Sequence, residues 1–398
     1  MAVLMKALFI NPPTEACFNS WYPPLGIAYL SSYLKKQTEW KTACCDVSIG
    51  ESPLAKVKSE KPDLIAFTCT TIGYNNTVKI AAKLRQAGIT VPFILGGQHI
   101  SALPHTLPLY FDACVVGEGE NALVTICREF EASGKLSQRI YKAPRVENLD
   151  ELPFPDRKMY NLKHYLQPQG HCMDMAGIGT SIMTSRGCRY RCIFCSSSRF
   201  FDAPIRGNSA KYVADEMQLL QEKYRCEYLN VFDDLFQYDV RRLEQLAREV
   251  KERGLDMKLI IQAHAPTFTE HTAQLLKEVG VVYCGFGFEA SSPNMLKFLK
   301  NGVATVEDNR RAVALAHRLD MKAGSGFLIN VPGQTQTDLD ANDKFVLETG
   351  LDAYRNYILC PYPGAPFWDI ALKKGLVSET MNFSSIYQMP NGHNVKLN

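Results

Sequence analysis

A chain of 398 residues with 46% hydrophobic and 21% charged residues has the composition of a globular protein of two ordinary domains, each able to bury its own core. Forty-four Lys and Arg against 41 Asp and Glu leave a net charge of +3, which argues against the concentrated basic face of a dedicated nucleic-acid binder. No apolar run approaches the roughly 18 residues of a membrane span. The apolar start MAVLMKALFINPP runs into Asn11-Pro12-Pro13 without a small-residue cleavage site, so it reads as a buried first strand rather than a signal peptide.

From the amino terminus, short apolar runs alternate with amphipathic stretches, the pattern of a parallel sheet covered by helices. Strands are predicted at 6–11 (KALFIN), 42–47 (TACCDV), 63–69 (DLIAFTC), 91–97 (VPFILGG) and 112–117 (DACVVG), with helices at 25–38, 74–88 and 119–133. Residues 1–135 therefore form a first domain, and the turns after its strands are the places to look for a ligand. Residues 136–180, which include the proline-bearing NLDELPFPDRKMY, read as an extended linker. A second alternation fills 181–375. Its strands are predicted at 181–184, 228–232, 257–263, 281–288, 323–330 and 353–359, and its helices at 210–225, 239–253, 270–279, 305–319 and 335–349. Gly254, Gly280 and Gly350 serve as helix stops. Six β/α units fall short of the eight of a full barrel and leave an open side. Residues 376–398 form a tail, expected to lie over that side or to be disordered.

Thirteen cysteines in a chain of this length do not suggest a secreted disulfide framework. Cys44, Cys45, Cys69, Cys114, Cys127, Cys226 and Cys284 sit in apolar surroundings and read as small buried hydrophobes, so a reducing cytoplasm is the expected compartment. Cys188, Cys192 and Cys195, in SRGCRYRCIFC (185–195), differ in being gathered on one loop. Two metals fit them. Structural zinc would take His171 or Cys172 as a fourth ligand, although zinc ligands usually come as two well-separated pairs. An iron–sulfur cluster of the [4Fe–4S] type normally takes four thiolates, so three leave one iron open to an outside ligand.

Cys-x3-Cys-x2-Cys directly after the first strand of a six-unit barrel resembles the radical S-adenosylmethionine (SAM) superfamily. The resemblance implies a [4Fe–4S] cluster on Cys188, Cys192 and Cys195, with SAM chelating the open iron and being cleaved to methionine and a 5′-deoxyadenosyl radical. It puts Phe194 beside the adenine. It also puts Asp233 and Asp234 of NVFDDLF (230–236) near the SAM amino group, with a solvated turn or a helix cap as the lesser alternative. Glu289 of GFGFEASSP (285–293) would reach the ribose, Asn330 lies in the adenine-packing segment GFLINVPGQT (326–335), and PYPGAPFW (361–368) matches the loop after the last strand. Pro266 stands where relatives commonly place an arginine. Gln262 and His264 alternate toward one face and fit contact with SAM or substrate, or a core role. Tyr354, Asn356 and Tyr357 are further candidates for the substrate cavity, where core packing fits the same alternation.

Four strand ends of the first domain carry signatures: WYPPLGIAYL (21–30), TCTT (68–71), GGQH (96–99) and GEGE (117–120). In this order, ahead of such a barrel, they resemble the cobalamin-binding domain of the B12-dependent radical SAM enzymes. The implied α/β architecture is an N-terminal Rossmann/flavodoxin-like cobalamin-binding domain followed by a partial (β/α)6 TIM-type radical SAM barrel. The implied cobalamin contacts are Tyr22, Pro24, Leu25, Gly26, Thr68, Thr70, Gly96, Gly97, His99, Gly117 and Glu118. The Asp-x-His-x-x-Gly motif that supplies a histidine below cobalt is absent, so methylcobalamin is expected base-off without a strong lower axial ligand. His99 is expected to make a hydrogen bond or amide contact.

The resemblance implies a C-methyltransferase acting on an unactivated carbon, with one SAM giving the hydrogen-abstracting radical and a second remethylating cobalt. A non-methylating member catalysing oxidation, ring contraction or cyclisation is the second reading, and a non-catalytic cobalamin sensor the third. A small-molecule substrate, an electron donor such as flavodoxin or ferredoxin, and a monomer are expected, with neither nucleic acid nor membrane as partner.

Overall fold

The computed structural model describes residues 4–14, 22–166, 177–201 and 204–386. The chain divides into two units, one from Met1–Tyr165, Tyr362–Gly364 and Trp368–Val395, the other chiefly from Leu166–Pro361 and Ala365–Phe367.

The first unit is built on β1 (Lys6–Asn11), β2 (Lys41–Asp46), β3 (Leu64–Thr68), β4 (Phe93–Gly96), β5 (Ala113–Val115) and β6 (Ile140–Tyr141). All pair in parallel, in the order β2-β1-β3-β4-β5-β6. Both faces are covered, which is why these strands read as continuous apolar runs rather than alternating ones. Cys45 joins Leu8, Ile10, Ile65, Phe67 and Leu95 in one apolar cluster, while its neighbour Cys44 joins Ala28, Tyr160 and Tyr165 in another. The strand order reverses at β1 and β3, so the crevice beyond Asn11 and Thr68 is the place where an open α/β sheet takes a ligand.

Residues 140–165 do more than link. β6 extends the sheet, and Leu149, Leu152, Tyr160 and Tyr165 are buried. Asp156 accepts from the Ser31 hydroxyl at 2.8 Å and pairs with Lys35 at 2.6 Å. The segment carries short helical turns at Leu149–Glu151 and Leu162–Tyr165, and apolar side chains among its prolines supply the burial. The described part of the tail also packs on this unit. Phe383 meets His99 edge-on at 4.4 Å between ring centroids, Asn382 and Ser384 hydrogen-bond to Asn75, and Glu379 pairs with His105 at 2.8 Å. Residues 387–398 lie outside the described residues.

The second unit holds β7 (Gly179–Ile182), a short antiparallel pair of β8 (Ser185–Arg186) and β9 (Arg206–Gly207), then β10 (Tyr228–Val231), β11 (Lys258–Ala263), β12 (Val281–Glu289), β13 (Lys322–Ile329) and β14 (Ala353–Ile358). Six of these form a parallel sheet in the order β14-β13-β12-β11-β10-β7, the six strands expected from the sequence. Leu229, Val231, Leu259, Ile261, Cys284, Phe286, Phe288, Ala323 and Phe327 join the apolar core. By the two-residue period of a strand, Asn230, Gln262, Tyr283, Gly285, Gly287, Gly324 and Gly326 face the other, inner side. Four of these are glycines, so β12 and β13 leave room there. Neighbouring side chains take part of it: Gln262 lies over Gly285, Glu289 over Gly287, Tyr283 over Gly324 and Tyr357 over Gly326.

Gly97 has φ +103, and a Cβ there would lie 2.7 Å from the Cys69 nitrogen and closer still to its carbonyl oxygen. Gly26 has open space around its Cβ position. Gly97→Ala should therefore cost at least about 2 kcal/mol in urea unfolding, and Gly26→Ala should be near neutral. Equal losses at the two positions would contradict this assignment.

Candidate active site

The three-cysteine loop leaves the sheet just beyond β7, and a buried polar brace fixes its base. Asp233, at the carboxyl end of β10, accepts from Thr184 N at 2.6 Å, Thr184 Oγ1 at 2.5 Å, Ser185 N at 3.0 Å and Ser185 Oγ at 2.7 Å. A carboxylate offers about four acceptor positions, so the chain's own donors saturate this one. Arg242, buried on the helix Val240–Arg253, donates to Thr184 O at 3.0 Å, Thr184 Oγ1 at 2.7 Å and Asn208 O at 2.7 Å. The β8–β9 pairing closes the loop across its neck. Its middle is held at Ile193, whose N–H donates to Leu299 O at 3.0 Å and whose carbonyl accepts from Phe367 N at 2.8 Å.

Cys188, Cys192 and Cys195 are free and half-buried on this loop. Burial pushes all three thiols up, Cys192 to about 11 and Cys195 to about 12, and Asp234 adds to the rise at Cys188 and Cys195. A thiolate there needs positive charge brought to it, as iron brings, and binding releases the protons. Among the described residues no three His, Cys, Asp or Glu side chains converge on a single ion. A [4Fe–4S] cluster needs no such convergence, because each thiolate takes a different iron. The donor set, the half-burial and the two-sided clamp fit that cluster. His171 and Cys172, the alternative zinc ligands, lie outside the described residues.

Glu289 and Asn330 end β12 and β13 with left-handed backbones, φ +66 and +59. Lys61, Arg225 and Asn301, which share that conformation, are helix C-caps, and Asp320 directly follows a helix end, whereas Glu289 and Asn330 cap nothing. Backbone held this way at the carboxyl ends of adjacent strands costs about 1–3 kcal/mol per residue and is typical of ligand-facing positions. Burial raises the Glu289 carboxyl to about 7 against the pull of Lys300. Lys300 is itself buried, its Nζ donating to Gly287 O at 2.6 Å.

His264, just past β11, is buried with both ring nitrogens unpartnered and stacks on Tyr190 of the cysteine loop at 4.0 Å. Burial and then Lys300 lower it to about 3, so the ring is neutral. Gln237 is also buried; its Nε2 donates to His264 O at 3.2 Å and its Oε1 has no partner. Buried polar atoms are nearly always satisfied, so three unsatisfied ones together mark a place for a polar ligand.

Phe194 is half-buried between Cys192 and Cys195. Asp234 accepts from the Ser197 hydroxyl; desolvation and Asp233 raise its carboxyl against that bond. Tyr354 and Tyr357 separate. Tyr354 packs beside Phe327 on the helix-covered face, and Tyr357 lies over Gly326 on the inner face. Asn356 pairs with Phe327 in the β13–β14 register and so shares the side of Tyr354, while Pro266 sits in a short turn, Ala265–Thr267. Sequence reasoning passed over Lys300, Arg242, Gln237 and Tyr190. A lysine closing LKFLK reads as a solvated helix-end cation, and no local pattern reports its burial.

In the first unit the named residues cluster at carboxyl ends of strands. Pro24 caps the helix Leu25–Gln37, and Leu25 is buried in its first turn beside the half-buried Tyr22. Thr68 ends β3, and Thr70 Oγ1 accepts from Gly73 N at 3.3 Å. Gly96 ends β4. Gly117, with φ +84, donates to Ser101 Oγ at 3.0 Å ahead of the half-buried Glu118, and nothing lies within 4 Å of its Cβ position. Open space over Gly26 and Gly117 fits the approach of a large planar ring. His99 is fully buried under Phe383 and Tyr74, with Nδ1 3.3 Å from Thr71 Oγ1 and Nε2 unpartnered.

Asp233→Asn, which turns two acceptor positions into donors facing donors, should cost about 3 kcal/mol and lower the iron bound per chain, read by thermal unfolding and iron assay. Glu289 binds a proton in the folded chain that an ordinary glutamate at 4.5 has released. Its stabilising effect in the ligand-free protein is full below 4.5 and is lost as pH rises through about 7. The urea midpoint of the wild type relative to Glu289→Gln should fall across that window, and a flat difference would count against the burial of this carboxyl.

Residues 14–126 match the B12-binding domain, and residues 182–346 match the radical SAM superfamily. An uncharacterized methyltransferase of Pyrococcus horikoshii is 29% identical over 96% of this chain and 86% of its own length. The anaerobic magnesium-protoporphyrin IX monomethyl ester cyclase of Cereibacter sphaeroides is 24% identical over 92% of this chain and 63% of its own length. The structure of the radical SAM methyltransferase TsrM from Kitasatospora setae, with cobalamin and a [4Fe–4S] cluster bound, superposes with a TM-score of 0.75 at 18% identity, covering 94% of this chain and 76% of that one. Both units are thereby accounted for in chain order: this chain carries a B12-binding domain followed by a radical SAM domain.

Proposed function

We propose that this protein is a cobalamin-dependent radical SAM methyltransferase that methylates an unactivated carbon of a small molecule. The observation that carries the reading is the three-cysteine loop, braced at its base by Asp233 and Arg242, in a chain that also holds a B12-binding domain. When bound, the cluster and SAM supply a hydrogen-abstracting 5′-deoxyadenosyl radical, and cobalamin supplies a methyl group that a second SAM renews.

The chain's own work is holding and shielding. Cys188, Cys192 and Cys195 give the cluster its three thiolates, and Phe194 lies beside the adenine. Glu289 accepts from the ribose diol, Asn330 and Gln262 border the nucleoside, and Asp234 faces the amino group. Asp233 acts through Thr184 and Ser185, because its own acceptor positions are taken. Tyr22, Pro24, Leu25, Gly26, Thr68, Thr70, Gly96, Gly97, Gly117 and Glu118 form the corrin cradle, with His99 stiffening the turn from beneath. His264 and Gln237 read a polar group of the substrate, and Tyr357 packs against its body. Tyr354, on the helix-covered face, supports β14 from behind. Positioning of this kind contributes by fixing reacting groups in contact and keeping out water that would quench a radical.

No described helix is long and apolar enough to cross a membrane. We place the protein in the cytoplasm as a monomer, with base-off cobalamin and a flavodoxin or ferredoxin as electron donor. The relative named as a cyclase favours a second reading, in which the substrate radical closes a ring or is oxidised without receiving a methyl group.

The two readings differ in their balance of SAM products. Methylation should release S-adenosylhomocysteine and 5′-deoxyadenosine in equal amounts per product, with a labelled SAM methyl carried into it. Turnover with 5′-deoxyadenosine alone would favour the second reading. Alanine at any one of Cys188, Cys192 or Cys195 should abolish both products and lose the cluster's absorbance.

A further inference from the structure

Lys300 is the only buried lysine among the described residues, at 4% exposure. It closes the helix Pro293–Lys300, and the carbonyl before it, that of Leu299, holds the cysteine loop at Ile193. Its ammonium makes one hydrogen bond, to Gly287 O at 2.6 Å, and no ion pair within 4.0 Å. A lysine has three donors, and a single carbonyl together with the negative end of a short helix does not compensate a buried ammonium. The groups on which its charge acts are Cys188 and Cys192 of the loop, Glu289 and the neutral His264. A buried charge is kept where an opposite charge meets it, and a cluster bound on the thiolates of Cys188 and Cys192 would bring concentrated negative charge to this place.

We infer that Lys300 is the counter-charge of the cysteine loop and raises the reduction potential of the cluster held there. The step concerned is the uptake of one electron, donated by a low-potential flavodoxin- or ferredoxin-type protein. That electron adds a negative charge to a cluster already bound by three thiolates. A fixed cation in low dielectric stabilises the reduced form more than the oxidised one. Lys300 thus acts through its charge, as a positioning residue.

The inference rests on the cofactor reading above, and two variants of the reconstituted full chain separate the two. Lys300→Gln keeps an N–H donor for Gly287 O and removes the charge; Lys300→Arg keeps both. A redox titration followed by electron paramagnetic resonance should find the Gln midpoint more negative. At the potential that half-reduces the wild type, its reduced fraction should be at least threefold smaller, with the Arg variant near wild type. Loss of the cluster from the Gln variant alone also supports the counter-charge role. Equal midpoints in wild type and Gln variant at full iron and sulfide content overturn it, as do equal shifts or equal cluster loss in both variants. A wild type that takes up no [4Fe–4S] cluster defeats the cofactor reading instead.

Discussion

The Asp233 carboxylate holds the second unit's site together. A loop that carries three thiols, and little secondary structure of its own, has to be stiffened from outside. Asp233 does this by binding both the backbone and the hydroxyls of Thr184 and Ser185 at the point where the chain leaves β7. Arg242 answers from the opposite side by taking the Thr184 carbonyl and hydroxyl. Each charge is buried, Asp233 with all its acceptor positions filled and Arg242 with three hydrogen bonds, and a buried polar network satisfied in this way rigidifies what it holds. The helix ending at Lys300 and the backbone at Phe367 then fasten the loop's middle. Position is thereby decided by the frame, and the cysteines are left free for chemistry.

Space is made by omission on the adjoining strands. β12 and β13 place glycine at four inner positions, while their outward phenylalanines knit the sheet to its helices. One strand thus offers two chemistries by alternation: dense aromatic packing on one side and, on the other, bare backbone on which Gln262, Tyr283, Glu289 and Tyr357 lie. Glu289 and Asn330 stand at the ends of these same strands in a strained conformation that a helix cap would explain elsewhere but does not here.

The sequence spoke clearly where periodicity is strong or spacing unusual. The six strands of the second unit and the first five of the other were readable because each is an apolar run punctuated by Gly, Pro or Thr. Cys188, Cys192 and Cys195 stood out because few functions other than metal binding gather three thiols so closely. β6, at two residues, was too short to show a period, and the burial within 140–165 was masked by its prolines. Lys300 and Arg242 look like any helix-surface cation, and their burial is a tertiary fact that no window of sequence contains. Tyr354 and Tyr357 show the limit from the other direction: both were candidates for one cavity, and the register with β13 puts only Tyr357 on the inner face.

Phe383 on His99 has a consequence for how the molecule is made. The B12-binding unit takes its last packed side chains from residues beyond 368, after the whole radical SAM segment has been synthesised. In the order of translation, the domain that begins first is completed last, with the other unit spliced into it as an insertion. Until those late residues arrive, His99 and Tyr74 lack the aromatic cover that Phe383 gives them. This part of the B12-binding unit thus reaches its final form only once the strands of the second unit are all present, which ties the assembly of one half of the enzyme to the production of the other.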